Sequence, residues 1–236
     1  MDARVTLLPW DSDFFGFRIG RYAKQKLTPQ EASRAAQQAR ALGLSCVYVF
    51  LDPGDPGSRL TAQQFGLSLI DARVVLGRRV EAEHGQGSVG VHVASAEDRL
   101  PLRRMGRELA SSSRFWQDRR FPRRLVRKMY AQWVEKSLCA NKETVVMARD
   151  GGGLVGFVSL SVNGKSGQII LFHVHPSCQG QGVGRQLMNE ALAWSAAQGV
   201  RELEVATQVS NPSALAFYEA MKFRTKETFL IYHWWL

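Results

Sequence analysis

Residues 178–187 read CQGQGVGRQL, with glycines at 180, 182 and 184, Gln179 before them and Arg185 after. An apolar run, QIILFHV (168–174), comes just upstream. Downstream, Val183, Leu187, Met188, Ala191, Leu192 and Ser195 recur at helical spacing, and Gly199 closes the segment. The stretch is therefore a strand-to-helix loop. Glycine takes positive φ at no steric cost and lets a ligand approach bare backbone. By itself the loop fits either a tight turn or an anion cradle on the unpaired N–H groups of a helix start. It is not G-x-x-x-x-G-K-[ST], since no Lys follows, and its alternating glycines do not make G-x-G-x-x-G.

Working outward, RELEVATQVS (201–210) alternates as a strand does, with Leu203, Val205, Thr207 and Val209 on one side. NPSALAFYEAMKF (211–223) reads as a helix with Asn211 as N-cap and Pro212 at its first position. ETFLIYHWWL (227–236) is a strand. Upstream, ETVVMARDGGGLVGFVSL (143–160) is a hairpin turning at Asp150 and three glycines. Residues 4–22 suggest short strands with a turn at Gly16. TPQEASRAAQQARALG (28–43) is a helix with Thr28 as cap, Pro29 in its first turn and Glu31 three residues after the cap. LSCVYVFLD (44–52), LTAQQFG (60–66) and SLIDARVVLGRR (68–79) follow as strand, short helix and strand. This alternation predicts an α/β (α+β) chain with helices packed on a central mixed sheet. The polar, glycine-rich segment 81–90 marks a boundary between a smaller N-terminal α/β unit, 1–84, and a larger unit, 91–236.

At 45% hydrophobic residues the chain can build a large core, and no apolar run is long enough for a membrane span. The acidic start MDARVTLLPWDSDFF is unlike an export signal. Three scattered cysteines, Cys46, Cys139 and Cys178, fit a reducing cytoplasm. Between Arg103 and Lys128, ten basic residues stand against Glu108 and Asp118, which accounts for most of the net +10. Such a run serves a solvated helix face, a nucleic-acid patch or a funnel for small polyanions. It lacks the interleaved aromatics of stacking modules, so no nucleic acid is expected. No cluster with metal-ligand spacing occurs, and no metal is expected.

Taken together, the tract from Ile169 to Phe223 resembles the GNAT acyltransferase superfamily, whose pattern Q/R-x-x-G-x-G/A matches Gln179, Gly182 and Gly184. The second pattern of that superfamily matches Asn211, Ala214, Phe217, Tyr218, Glu219 and Phe223, with Lys222 where glycine is usual. WDSDFFGFRIG (10–20), SRFWQDRRFP (113–122) and VATQVSNPSAL (205–215) are similar to the dTDP-fucosamine acetyltransferases within it. The resemblance implies a GNAT fold, acetyl-CoA as co-substrate and a nucleotide-linked amino sugar as acceptor, with another small-molecule amine or a protein N-terminus as the alternative. It places the cofactor against Phe172, His173 and Val174, against loop residues Gln179, Gly180, Gly182, Val183, Gly184 and Arg185, and against Asn211, Ala214 and Phe217. It makes Tyr218 the catalytic acid and Arg114 and Phe115 the acceptor contacts. A homodimer is compatible with it.

Acyl transfer from a thioester needs a neutral amine, a polarised carbonyl and a proton for the leaving thiolate. A backbone donor such as the Val174 N–H supplies the second requirement. A phenol near pKa ~10 supplies the third. For the base, His173, Glu204, Gln208 and water all stay open. His175, at a strand end, reads as structural.

Overall fold

The computed structural model describes residues 5–81, 90–140 and 143–236. Val5–Leu7 (β1) leads into Pro9–Phe15 (α1), which ends where Gly16 turns left-handed at φ 80° and its N–H donates to Ser12 O at 2.9 Å. Val5–Leu7 does pair antiparallel with Ile19–Tyr22, as the expected short strands, but a helix and not a turn alone joins them. Seven residues are too few to show a helical period, and the aromatics that read as strand instead place Phe15 in a buried cluster with Phe115 and Phe121. Ile19–Tyr22 (β2) follows. Pro29–Ala41 (α2) starts as expected, with Thr28 Oγ1 accepting from Glu31 N and Glu31 Oε2 accepting from Thr28 N. Its buried alanines 32, 35, 36 and 39 lie on the sheet. Cys46–Leu51 (β3), Pro56–Gln64 (α3) and Ser68–Arg79 (β4) complete this part. The boundary expected at 81–90 falls mostly on 82–89, outside the described residues.

Val91–Val93 (β5) opens the remainder, then Arg99–Gly106 (α4), a 3-10 turn at Arg107–Ser112, Arg114–Gln117 (α5) and Arg123–Cys139 (α6). Glu143–Asp150 (β6), Gly153–Asn163 (β7) and Ser166–Val174 (β8) form an antiparallel meander. Val183–Ala197 (α7), Glu202–Gln208 (β9), Pro212–Ala220 (α8) and Arg224–Trp235 (β10) end the chain. The ten strands among the described residues make one mixed sheet in the order β1-β2-β3-β10-β4-β9-β8-β7-β6-β5. The last strand is thus inserted between β3 and β4, antiparallel to both.

Strand alternation sorts the helices. Val47, Val49 and Leu51 face α2 and α3, while Cys46 and Tyr48 face the other side. Likewise Val158 and Leu160 pack under α7 and α8, and Phe157 packs under α4 and α6. The basic helical region and the glycine loop with its helix therefore lie on opposite faces. They meet only where the sheet opens. β8 and β9 are parallel and pair from Ser166↔Glu202 to Ile169↔Val205, yet both continue, to Val174 and to Gln208. Beyond Ile169 they part.

β10 is tied to α5 by a buried relay. His233 is fully buried, and its Nδ1 lies 2.8 Å from Asp118 Oδ2 while its Nε2 lies 3.1 Å from Arg114 Nη1. A guanidinium only donates, so Nε2 accepts and Nδ1–H donates to Asp118. Trp235 Nε1 donates to the same carboxylate oxygen at 2.9 Å. Burial opposes ionisation of Asp118, but the bonds from His233, Arg120 N and Trp235 outweigh it and hold its pKa at about 2. Burial pulls His233 down to about 4, against the pull of Asp118.

Two outcomes follow from this framework. A Cβ at Gly156 would lie 2.9 Å from the His173 carbonyl and from Leu187 Cδ1. Gly156→Ala should cost about 1–3 kcal/mol in urea unfolding, since strand backbone cannot give way as a flexible side chain does. The unfolded imidazole of His233 takes a proton near the ordinary histidine value of 6.5, the folded one only near 4. The unfolded chain binds more protons in that window, so stability falls as pH is lowered from 6.5 to 4. His233→Gln should flatten this slope by up to about 1.4 kcal/mol per pH unit, read from denaturation midpoints across the range.

Candidate active site

The glycine loop begins with a 3-10 turn at Pro176–Cys178, where His175 Nδ1 accepts from Ser177 N at 3.3 Å. This is the structural role expected of His175. Gly180 and Gly182 follow at φ 76° and 86°. Both are left-handed, where a Cβ is strained. Gly182 is the N-cap of α7, and no side chain caps that helix. The amides of residues 180–185 have no acceptor among the described residues, and the first intrahelical bond comes from Gln186 N to Gly182 O. Gly184 does something else. A Cβ there would sit 3.2 Å from the Phe217 ring, so this glycine lets α7 and α8 approach closely. Gln179 Nε2 donates to Val174 O, and Gln181 Nε2 donates to Ser177 O, fastening the loop to the strand before it. The loop is both a turn and a cradle: two glycines set its path, and its free N–H groups and dipole favour an anion.

The parted strands open into a cleft of about 1540 Å³. Phe172, His173 and Val174 of β8 line it together with Gln179, Gly180, Gly182, Gly184 and Arg185. His175 N donates to Val155 O on β7, so by strand alternation the Phe172 and Val174 amides point the other way, toward the opening. α8 contributes Asn211, Ala214, Phe217 and Tyr218. Asn211 Oδ1 accepts from Ala214 N as the helix cap. The Tyr218 ring is held by Phe172, Phe217 and Phe223 at centroid distances of 6.2, 5.5 and 5.6 Å. Its hydroxyl has no hydrogen-bond partner among the described residues, and burial raises its pKa, so it is a protonated donor at neutral pH. Lys222, where the resemblance expects glycine, is left-handed at φ 64°. The turn after α8 keeps its shape, and Phe223 N still bonds to Tyr218 O at 2.9 Å. Strain falls on Lys222 instead.

The facing wall is basic. Arg103, Arg107, Arg124, Arg127 and Lys128 line it, with Trp116 among them. Arg123 and Arg127 stack on the Trp116 ring at 4.3 and 5.2 Å. Two carboxylates engage this wall: Glu135 Oε2 pairs with Arg103 Nη1 at 3.1 Å, and Glu108 Oε2 lies 3.0 Å from His173 Nε2. Burial lowers the His173 pKa, and Glu108 only partly offsets this, so the imidazole is neutral at neutral pH. The Nε2–H bond to Glu108 leaves Nδ1 with its lone pair. The sequence offers His173 but not Glu108, which is 65 residues away.

Other expected site residues lie elsewhere. Phe115 is a core residue, 4% exposed, packed against Phe15, Tyr48 and Phe121, and Trp116 takes the place at the cleft wall. The Arg114 guanidinium sits over the Tyr48 ring at 4.0 Å and the Phe115 ring at 4.2 Å and does not line the cleft. The Val183 side chain packs on the core at the start of α7, while its amide stays among the free N–H groups of the loop. Glu204 does not line the cleft and is paired with Lys226. With its amide turned so that nitrogen and oxygen each meet a partner, Gln208 donates to the Ser112 carbonyl and accepts from the Arg114 N–H at the inner end of the cleft. Asp71, not anticipated, accepts from Gln117 Nε2 and Ser210 Oγ close by. Among the described residues no cluster of His, Cys, Asp or Glu could hold a metal, and no helix is long and apolar enough to cross a membrane.

Comparison with known proteins agrees with this geometry. The acetyltransferase (GNAT) family model matches residues 106–223. A dTDP-fucosamine acetyltransferase of Escherichia coli O6:H1 is 31% identical over 219 residues, covering 92% of this chain and 91% of that protein. The spore coat polysaccharide biosynthesis protein SpsD of Bacillus subtilis is 22% identical over 131 residues, 56% of this chain and 45% of that protein. Among solved structures, a conserved Staphylococcus epidermidis protein of unknown function superposes with a TM-score of 0.70 at 13% identity, over 99% of this chain and 91% of that one. A GCN5-related N-acetyltransferase from Sphaerobacter thermophilus gives 0.65 at 14% identity, over 97% and 75%. With a sheet parted at β8 and β9, an uncapped glycine loop at the opening and these relatives, the chain belongs to the GNAT family of N-acetyltransferases.

Proposed function

We propose that this N-acetyltransferase moves the acetyl group of acetyl-CoA onto the amino group of a nucleotide-linked amino-deoxy sugar, with dTDP-linked sugars as the first candidates, in cytoplasmic synthesis of a surface polysaccharide. The observation that carries the reading is the basic wall of Arg103, Arg107, Arg124, Arg127 and Lys128, set across the cleft from the free amides of α7. A cleft cationic on both sides concentrates polyanions and disfavours polyamines or lysine-rich peptides. Similarity to the Escherichia coli dTDP-fucosamine acetyltransferase over nearly the whole length of both chains supports the same acceptor class.

In this reading the α7 amides hold the diphosphate of acetyl-CoA, and the opening between β8 and β9 takes its pantetheine arm. The Val174 N–H polarises the thioester carbonyl. The acceptor amine reaches the carbonyl from the side of α4–α6, where His173 Nδ1 takes the proton the amine must lose. The C–S bond breaks as the tetrahedral intermediate collapses, and Tyr218 gives its proton to the departing thiolate. All of these groups come from the unit 91–236.

Release of free CoA thiol should be fastest with a dTDP-linked 4-amino sugar in a panel that includes UDP-amino sugars, polyamines and peptides. Faster release with a polyamine or peptide would overturn the acceptor assignment. Tyr218→Phe should lower kcat about 10- to 100-fold while acetyl-CoA affinity by calorimetry stays unchanged. An unaltered kcat would take Tyr218 out of the reaction. His173→Gln should remove the acid limb of the kcat/KM profile, a limb expected below pH 6.5 because burial lowers that imidazole.

A further inference from the structure

Three arginines gather on the acceptor face of the sheet just past the inner end of the cleft. Arg21 of β2 places its Cζ 5.1 Å from the Phe50 ring centroid, and Arg114 of α5 places its own 5.4 Å from the same centroid. Arg73 of β4 lies opposite Gln208 in the β4–β9 ladder. Gln208 in turn bonds to Arg114 N and to the carbonyl of Ser112, a cleft-lining residue. None of the three lines the cleft itself; they lie beyond Gln208, on the side of the N-terminal strands.

Their own needs are not met. Arg73 Nε is buried without a hydrogen-bond partner. The guanidinium of Arg21 has only the Phe50 face, and that of Arg114 has one acceptor, His233 Nε2. None of the three forms an ion pair among the described residues. Asp11 lies near Arg114 but accepts from the Tyr48 hydroxyl, and Asp71 is engaged by Gln117 and Ser210. Burial first, then the positive fields of Arg114 and Arg21, lower the Arg73 pKa. Like charges held together with unmet donors are unfavourable in an empty site and favourable around an anion. A guanidinium fork fits phosphate oxygens two at a time.

We propose that Arg21, Arg73 and Arg114 form a second anion site, distinct from the α7 amides, that holds the phosphate groups of the acceptor while its amine faces Val174. The location of the acceptor in this statement rests on the acetyltransferase mechanism given above. The arrangement gives each diphosphate its own positive cradle, one on either side of the parted strands. It also explains why a buried arginine relay, Asp118–His233–Arg114, is built into the last strand: it fixes the direction of one guanidinium.

Calorimetric titration of inorganic pyrophosphate into the full chain, already saturated with CoA so that the α7 site is filled, tests the site. Pyrophosphate should bind the CoA-saturated protein, and R21Q and R73Q should each weaken it about tenfold or more without altering CoA affinity. Arg21 is exposed, so R21Q remains informative even if R73Q unfolds. No pyrophosphate binding beside CoA, or equal binding by wild type and a folded variant, overturns the proposal. If the variants lose pyrophosphate but no nucleotide-linked sugar is acetylated, the anion site stands and the acceptor assignment falls. If a nucleotide-linked sugar is acetylated with unchanged KM by both variants, the acceptor assignment stands and the site falls.

Discussion

The parting of β8 from β9 is the constraint on which the rest depends. Four paired positions bind the two strands, and then each runs on without the other. In a closed sheet the amides of Phe172 and Val174 would be spent on a neighbour. Here they face an opening, and backbone groups so placed must find water or a ligand. The parting also decides which helices meet. It lets the start of α7 and the tyrosine of α8, both on one face, address a space walled by α4 and α6 on the other. Glycines follow from that demand: 156 lets β7 lie against the His173 carbonyl, and 184 lets α7 lie against Phe217.

Charge is distributed in step with this geometry. Most of the excess positive residues come from one helical region, and the structure aims part of it at the cleft rather than evenly at solvent. The remaining arginines near the opening are supported by aromatic faces: Trp116 carries Arg123 and Arg127, and Tyr48 and Phe115 carry Arg114. Aromatic faces orient guanidiniums without neutralising them. A carboxylate in the same position would hold the side chain equally well and cancel the field.

What could be read from the chain follows the range of each interaction. The glycine loop, the Thr28 capping box and the Asn211 cap were legible because their partners are within a few residues. The place of Tyr218 on the cleft side of its helix was legible through the family pattern that runs from the Asn211 cap. The first helix was not, because a seven-residue segment with three aromatic rings carries no period. Phe115 and Trp116 are adjacent and chemically alike, and only the packing of Phe15 and Phe121 decides which of them turns inward. Glu108 and His173, or Arg73 and Arg114, come together only after strands and helices have chosen partners. Nothing in their neighbourhoods along the chain announces it.

The placement of β10 between β3 and β4 has a consequence for biosynthesis. As the ribosome delivers the chain, β3 and β4 emerge early, each with a bare edge turned toward a gap that only residues 224–235 can fill. Until then the nascent protein carries two open strand edges, a template for association with other chains. Closing that gap requires pairing over most of the sequence length, a slow kind of step. The same strand brings His233 to Arg114, so a segment translated well after β3 and β4 both seals the sheet and orients that guanidinium, and a product interrupted before it has neither.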